Sequence, residues 1–269
     1  MINLRTYGAP PFNLAVIHGG PGAWGEMAPV ARELSFLGGV LEPLQTAVTL
    51  EGQVTELRDV LEEHGTLPII LTGFSWGAML SFIFTARHPQ FVKKLILVGS
   101  GPYEEKYAAN IMRTRISRLG KDDLENFRRL TEALDNPSAE NRNDILCSFG
   151  KLMSKADTYD PLLYEDEMLA HEDEMLDCKC RYEVFRGVWE EASGLRRSGK
   201  LLGLGREIRC QVVAIHGDYD PHPFEGVLEP LSGSLMDFKF ILLEKCGHKP
   251  WIETEAKERF YEVLKHEIQ

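Results

Sequence analysis

The sequence predicts an α/β protein, a mostly parallel sheet flanked by helices and interrupted by a long helical insertion. Three observations lead there. Short apolar runs alternate with helix-length amphipathic patterns through the first hundred residues, as parallel strands with crossover helices require. Between Pro102 and Gly205, about 104 residues, no convincing strand pattern occurs. After that gap the strand pattern resumes.

Each element follows from its own signal. Phe12–Ile17 is an apolar strand that runs into the turn-rich His18-Gly19-Gly20-Pro21-Gly22, and Trp24–Phe36 reads as a helix. Val40–Leu44 is a second strand. Leu50, Val54, Leu57 and Leu61 recur at the spacing of one helix face. Pro68–Thr72 and Lys94–Val98 are short buried strands on either side of the apolar helix Ala78–Ala86. In the insertion, Asp122 with Glu125 reads as a helix N-cap and its partner, and Leu124, Phe127, Leu130 and Leu134 line one face. Asp160-Pro161 reads as a cap residue before a proline at the first helical position. Gln211–Ile215 and Phe238–Leu243 return to strand, and Ile252, Ala256, Phe260 and Val263 mark a closing amphipathic helix. The predicted organisation is a core of residues 1–101 and 206–269 with a helical cap at 102–205.

Composition narrows the function. The chain has 269 residues, 43% hydrophobic and 26% charged, and a net charge of −11. A chain this long buries a sizeable core without metals or disulfides. Its acidity argues against nucleic acid as a partner. No apolar run reaches the roughly 18 residues of a membrane helix. The start Met1-Ile2-Asn3-Leu4-Arg5 has no secretory pattern, so the expected location is cytoplasmic and the expected partner a small-molecule substrate. The five cysteines Cys147, Cys178, Cys180, Cys210 and Cys246 are widely scattered and odd in number, which fits reduced thiols. Glu165–Leu169 and Glu172–Leu176 both read E-D-E-M-L, an acidic amphipathic stretch and too short an echo for a repeat.

Four motifs carry chemistry. Gly73-Phe74-Ser75-Trp76-Gly77 is G-x-S-x-G placed between a strand and a helix, where a nucleophilic serine sits on a tight turn with small neighbours. His18–Gly22 also follows a strand. Its glycines let backbone N–H groups face a substrate oxygen, and with the residue after the nucleophile they would form an oxyanion hole from Gly20 and Trp76. His216-Gly217-Asp218-Tyr219-Asp220-Pro221 ends a late strand, and Cys246-Gly247-His248 follows the last one. Imidazole titrates near neutrality and serves as the base, and a carboxylate holds its tautomer. The order serine, acid, histidine points to Ser75, an acid at Asp218 or Asp220, and His248.

Taken together these motifs resemble the α/β-hydrolase family, in order and over nearly the whole chain. His18–Gly22 and Gly73–Gly77 are most similar to its proline iminopeptidase branch. That resemblance implies an oxyanion hole at Gly20 and Trp76, and an acid three residues after the strand-ending glycine, which is Asp220. Two segments differ from the branch. Leu41–Thr46 stands where an arginine- and glycine-rich loop is usual, and Pro221 where some aminopeptidases carry an acid.

Other readings compete locally. His216, Asp218, Asp220 and His222 form H-x-D-x-D-x-H, which could suggest a metal, and Asp218-Tyr219-Asp220 faintly suggests phosphotransfer. Neither accounts for Ser75 and His248, so no metal and no cofactor is expected. The leading expectation is a serine hydrolase of a small ester, thioester or amide. The alternatives are an aminopeptidase, or a ligand-binding receptor on the same fold. Trp24, Phe185 and Trp189 are candidate substrate contacts. Asp218 is expected to cap its own turn. Oligomeric state is not legible.

Overall fold

The computed structural model describes residues 3–22, 24–136, 138–162 and 181–269. Seven strands form one sheet in the order β1-β3-β2-β4-β5-β6-β7. They are β1 (Leu4–Tyr7), β2 (Phe12–Ile17), β3 (Gly39–Pro43), β4 (Ile69–Phe74), β5 (Val92–Val98), β6 (Gln211–Gly217) and β7 (Phe238–Leu243). All neighbouring pairs are parallel except β1 with β3. The mostly parallel, helix-flanked sheet is as the sequence predicts. The short edge strand β1 has no distinctive pattern of its own. It holds its place by pairing with β3 from Leu4↔Pro43 to Tyr7↔Val40.

Strand alternation divides the core between the two faces of the sheet. Ala15, Ile17, Leu71, Leu95, Val212 and Ala214 pack with α2 (Leu50–His64) and α3 (Trp76–Arg87). Leu14, Val16, Ile70, Ile96, Val213 and Ile215 pack with α1 (Ala28–Leu34) and α11 (Lys257–Ile268). Every residue of α3 from Trp76 to Ala86 is buried, so this helix is enclosed on all sides, and Thr85 Oγ1 donates to Ser81 O within it. On α2 the predicted face of Leu50, Val54, Leu57 and Leu61 is the buried one.

Chain order reverses at β2: β3 lies on one side of it and β4 on the other. The carboxyl ends of β2 and β4 therefore meet at a switch point, where open α/β sheets place their ligands.

Between β5 and β6 the described helices are α4 (Glu105–Ala108), α5 (Ile111–Arg118), α6 (Lys121–Asp135), α7 (Arg142–Asp157), α8 (Tyr182–Arg197) and α9 (Lys200–Gly203). Leu119, Leu130, Leu152, Met153 and Ala156 form a core of their own. Val184, Val188 and Ala192 of α8 instead join the core around α2 and α3. After β6 comes α10 (Glu225–Ser234), which sequence periodicity did not mark; Pro230 and two glycines interrupt its pattern. Among the described residues no helix is long and apolar enough to cross a membrane.

Several local expectations need correction. Trp24 lies in a turn, because Gly25 at φ +87° breaks any helix before Ala28. Gly120 is the N-cap of α6, and Asp122 sits in the first turn, where its carboxylate faces the positive helix end. Pro161 does not follow a helix cap; it forms a β-bridge with Glu253, and the Leu162 N–H donates to Ile252 O at 2.8 Å. A partner from the far end of the chain outcompetes the local capping signal. Ile252 and Ala256 precede α11 instead of lying within it. Cys147 is disulfide-bonded, so not all five thiols are reduced; an odd count requires one unpaired cysteine and excludes no pair. Cys210 and Cys246 are free. Cys178, Cys180 and both E-D-E-M-L segments lie outside the described residues.

Glu253 fastens the insertion to the loop after β7. It is fully buried, and its carboxylate accepts from the backbone N–H groups of Tyr159 (2.9 Å), Asp160 (2.8 Å) and Gly247 (2.9 Å). Its removal strands three donors, that of Gly247 buried and those of Tyr159 and Asp160 partly so, and an unsatisfied buried donor costs about 1–3 kcal/mol. Glu253→Ala is therefore expected to lower unfolding stability by about 2–4 kcal/mol in a denaturant titration. Glu253→Gln, which keeps one acceptor oxygen, should lose less.

Candidate active site

Ser75 occupies a turn that few side chains tolerate. It links β4 directly to α3 with φ 52° and ψ −113°. A Cβ on Gly73 would lie 2.2 Å from Gly77 O, and one on Gly77 would lie 2.3 Å from Ile17 O. Both flanking positions thus need glycine for the elbow to close against β2. The Ser75 N–H donates to Val98 O at 2.9 Å, tying the turn to β5.

The loops after β6 and β7 bring the other two predicted residues to this serine. His248 Nε2 lies 2.9 Å from Ser75 Oγ, and His248 Nδ1 lies 2.7 Å from Asp220 Oδ2. With Nδ1–H donating to the carboxylate, Nε2 is left to accept the Ser75 hydroxyl proton. Asp220 and His248 are buried and Ser75 partly exposed. The imidazole also packs on Phe74, ring centroids 4.8 Å apart, and its backbone N–H donates to Asp157 O at 2.8 Å.

Asp220, not Asp218, faces His248. Asp218 Oδ1 accepts from the Cys246 N–H at 3.1 Å, so it braces the histidine-bearing loop and not its own turn, as its sequence position suggested. Burial opposes the Asp220 charge. His248, His222 and His216 outweigh that cost and hold the carboxyl well below the usual carboxylate range. His222, which sequence reasoning named only as a discarded metal ligand, turns out to be bonded to this carboxylate: Nδ1 is 2.7 Å and its backbone N 2.9 Å from Asp220 Oδ1. The H-x-D-x-D-x-H spacing was the available signal. Donor atoms of Asp220, His222 and His248 lie within 4.8 Å of one another. Each carboxylate oxygen of Asp220 lies 2.7 Å from an imidazole nitrogen, Oδ1 from His222 and Oδ2 from His248.

The backbone near Ser75 provides polar groups of the opposite sense. Trp76 opens α3, so its N–H has no intrahelical acceptor. Gly20 has φ +37°, a turn conformation suited to glycine. The His18 ring is fully buried, and burial lowers its pKa; Nδ1 lies 2.7 Å from Gly19 O.

The candidate substrate contacts fare unevenly. Trp24 Nε1 donates to Gln45 O at 2.8 Å, and the Arg181 guanidinium lies 4.3 Å from its ring, so Trp24 joins three segments. Phe185 and Trp189 stack on each other with centroids 6.0 Å apart, and Trp189 is 38% exposed. No contact brings these two rings to Ser75 among the described residues.

Residues 42–253 match the alpha/beta hydrolase fold family. No curated protein matches the sequence. Solved structures resemble the fold at low identity. VinJ aligns with a TM-score of 0.72 and 19% identity over 98% of this chain and 93% of its own. An esterase from Exiguobacterium antarcticum aligns with a TM-score of 0.65 and 17% identity over 98% and 94%. A thioesterase domain from the curacin biosynthetic pathway aligns with a TM-score of 0.57 and 18% identity over 97% and 94%. On the family match over most of its length and on its sheet, the chain belongs to the α/β-hydrolase family.

Proposed function

We propose that this protein is a serine hydrolase that cleaves a small ester or thioester through an acyl-enzyme on Ser75. The observation that carries the reading is the unbroken chain from Ser75 Oγ to His248 (2.9 Å) to Asp220 (2.7 Å). Ser75 Oγ attacks the acyl carbonyl carbon while its proton passes to His248 Nε2. The carbonyl oxygen takes up negative charge opposite the N–H groups of Trp76 and Gly20. Collapse of that intermediate breaks the bond to the leaving oxygen or sulfur, which takes the proton from His248. Water then loses a proton to His248, attacks the acyl carbon and frees the acid, returning the proton to Ser75. Asp220 orients the imidazole and stabilises its protonated form throughout.

The helices described between β5 and β6 act as a cap beside the site and set the substrate. The esterase and thioesterase among the fold relatives agree with acyl chemistry. An amide substrate, as in an aminopeptidase, has less support, because Pro221 follows the acid where some aminopeptidases carry a second acid.

Ser75→Ala should lower kcat on an acyl ester on the order of 10⁶-fold with the fold intact, and should abolish labelling by a fluorophosphonate. A wild-type protein that neither labels nor turns over any ester, thioester or aminoacyl amide would favour a ligand-binding role. Asp220→Asn should cost about 10⁴ in kcat. In that variant the one remaining acceptor oxygen faces His222, and the amide N–H turns towards His248 and enforces the wrong tautomer. Asp218→Asn retains an oxygen for the Cys246 N–H, so its kcat should stay within about threefold of wild type. The reverse ranking of the two variants would reassign the acid.

A further inference from the structure

The carboxylate of Asp220 is shared. Oδ2 serves His248 at 2.7 Å, and Oδ1 accepts from both the backbone N–H and the ring Nδ1 of His222. The His222 ring lies against the His248 ring, centroids 4.5 Å apart. Its own position is held by His216, whose Nε2 lies 2.8 Å from His222 O and 3.4 Å from Asp220 Oδ2. Pro221 and Pro223 flank it and stiffen the backbone. A serine–histidine–acid relay requires one hydrogen bond to the acid from one histidine. The second ring, held this closely and buried, has no part in that minimal scheme.

We propose that His222 is a positioning residue for the relay: as a neutral imidazole it donates Nδ1–H to Asp220 Oδ1, fixes which oxygen faces His248, and sets how strongly the carboxylate holds a proton on His248. The inference rests on the serine hydrolase reading. A carboxylate that accepts an additional hydrogen bond is a weaker base. The imidazolium of His248 is then less stabilised, and His248 becomes free to act as base at lower pH. Burial pushes His222 down to about 4, so it is uncharged and available as this donor throughout the neutral range. The other titratable and charged groups facing the cluster come from four elements. They are His216 on β6, Arg115 on α5, Glu225 on α10 and Cys246 before His248. Arg115 is paired with Asp157 through two hydrogen bonds of 2.7 Å, and the contacts to Oδ1 are the backbone N–H and ring Nδ1 of His222.

The test is the pH dependence of the rate at which a fluorophosphonate labels Ser75, which needs no knowledge of the natural substrate. His222→Leu removes the donor at similar size. It should move the acid limb of the profile up by about half to one pH unit. His222→Asn places an amide N–H where Nδ1–H was and should keep the limb within about 0.2 unit of wild type. A limb that stays put in the Leu variant, whatever happens to the plateau rate, overturns the proposal and reduces His222 to packing. So does an Asn variant that shifts as far as Leu. If the Leu variant does not fold, ¹⁵N NMR of the wild-type imidazoles at pH 7 decides: Nδ1-protonated His222 is expected, and an Nε2-protonated tautomer overturns it. A wild type that never labels defeats the serine hydrolase reading itself, and the tautomer of His222 remains measurable as a separate result.

Discussion

The closeness of α3 to β2 is the constraint from which the rest of the site follows. The backbone of Gly77 approaches Ile17 O so nearly that no side chain fits between them. That contact lets β4 turn into α3 within one residue, and Ser75 takes the strained backbone angle that results. Such strain persists only where surrounding structure over-determines it. Here the over-determination is visible: β4 is paired on both sides, α3 is buried along its length, and the turn is bonded to β5. The energy that holds one serine in an unfavourable conformation comes from the apolar burial of a whole helix.

A second constraint is the solvation of one buried negative charge. Asp220 has left water and is sustained by donors supplied from its own loop and from the loop after β7. The carboxylate has two oxygens with distinct duties. Oδ1 is satisfied locally by the residue two positions on, the habit of an aspartate in a turn. That leaves Oδ2 aimed at His248. Asp218, two residues earlier, follows the same logic with the opposite outcome, because its oxygen is taken up by the Cys246 N–H. Two nearby carboxylates on one loop are thus told apart by which backbone donors reach them first.

What was legible in the sequence was whatever depends on local pattern. The strands β2 to β7 show as apolar runs, and Phe238–Leu243 coincides with β7 residue for residue. Ser75, Asp220 and His248 were found because each sits in a short motif at a strand end, and the structure brings them together. What was hidden depends on distant partners. Glu253 has no motif; its role comes from receiving N–H groups about ninety residues earlier in the chain. Pro161 carried a helix-start signal that was overridden by pairing with that same distant segment. β1 is too short and too polar to announce itself, and pairing with β3 decides its state. His222 was visible as a spacing, but the spacing suggests a cation until the geometry shows the nitrogens pointing at the carboxylate.

Those distant contacts also change how the helical insertion relates to the chemistry. At the end of α7, Asp157 O receives the His248 N–H directly, while its side chain pairs with Arg115 on α5. Two residues on, the backbone is fastened to Glu253, which also holds Gly247. The loop that carries the imidazole is therefore gripped on one side by the sheet and on the other by the insertion. A Cβ at Gly247 would lie 2.2 Å from Asp157 O, so the two backbones meet without room for a side chain. A segment in such contact cannot hinge at its α7 end without disturbing His248. Substitutions in the insertion that alter α5 or α7 thereby act on the position of the histidine as well as on whatever the insertion encloses, and the Arg115–Asp157 pair is the link through which they do so.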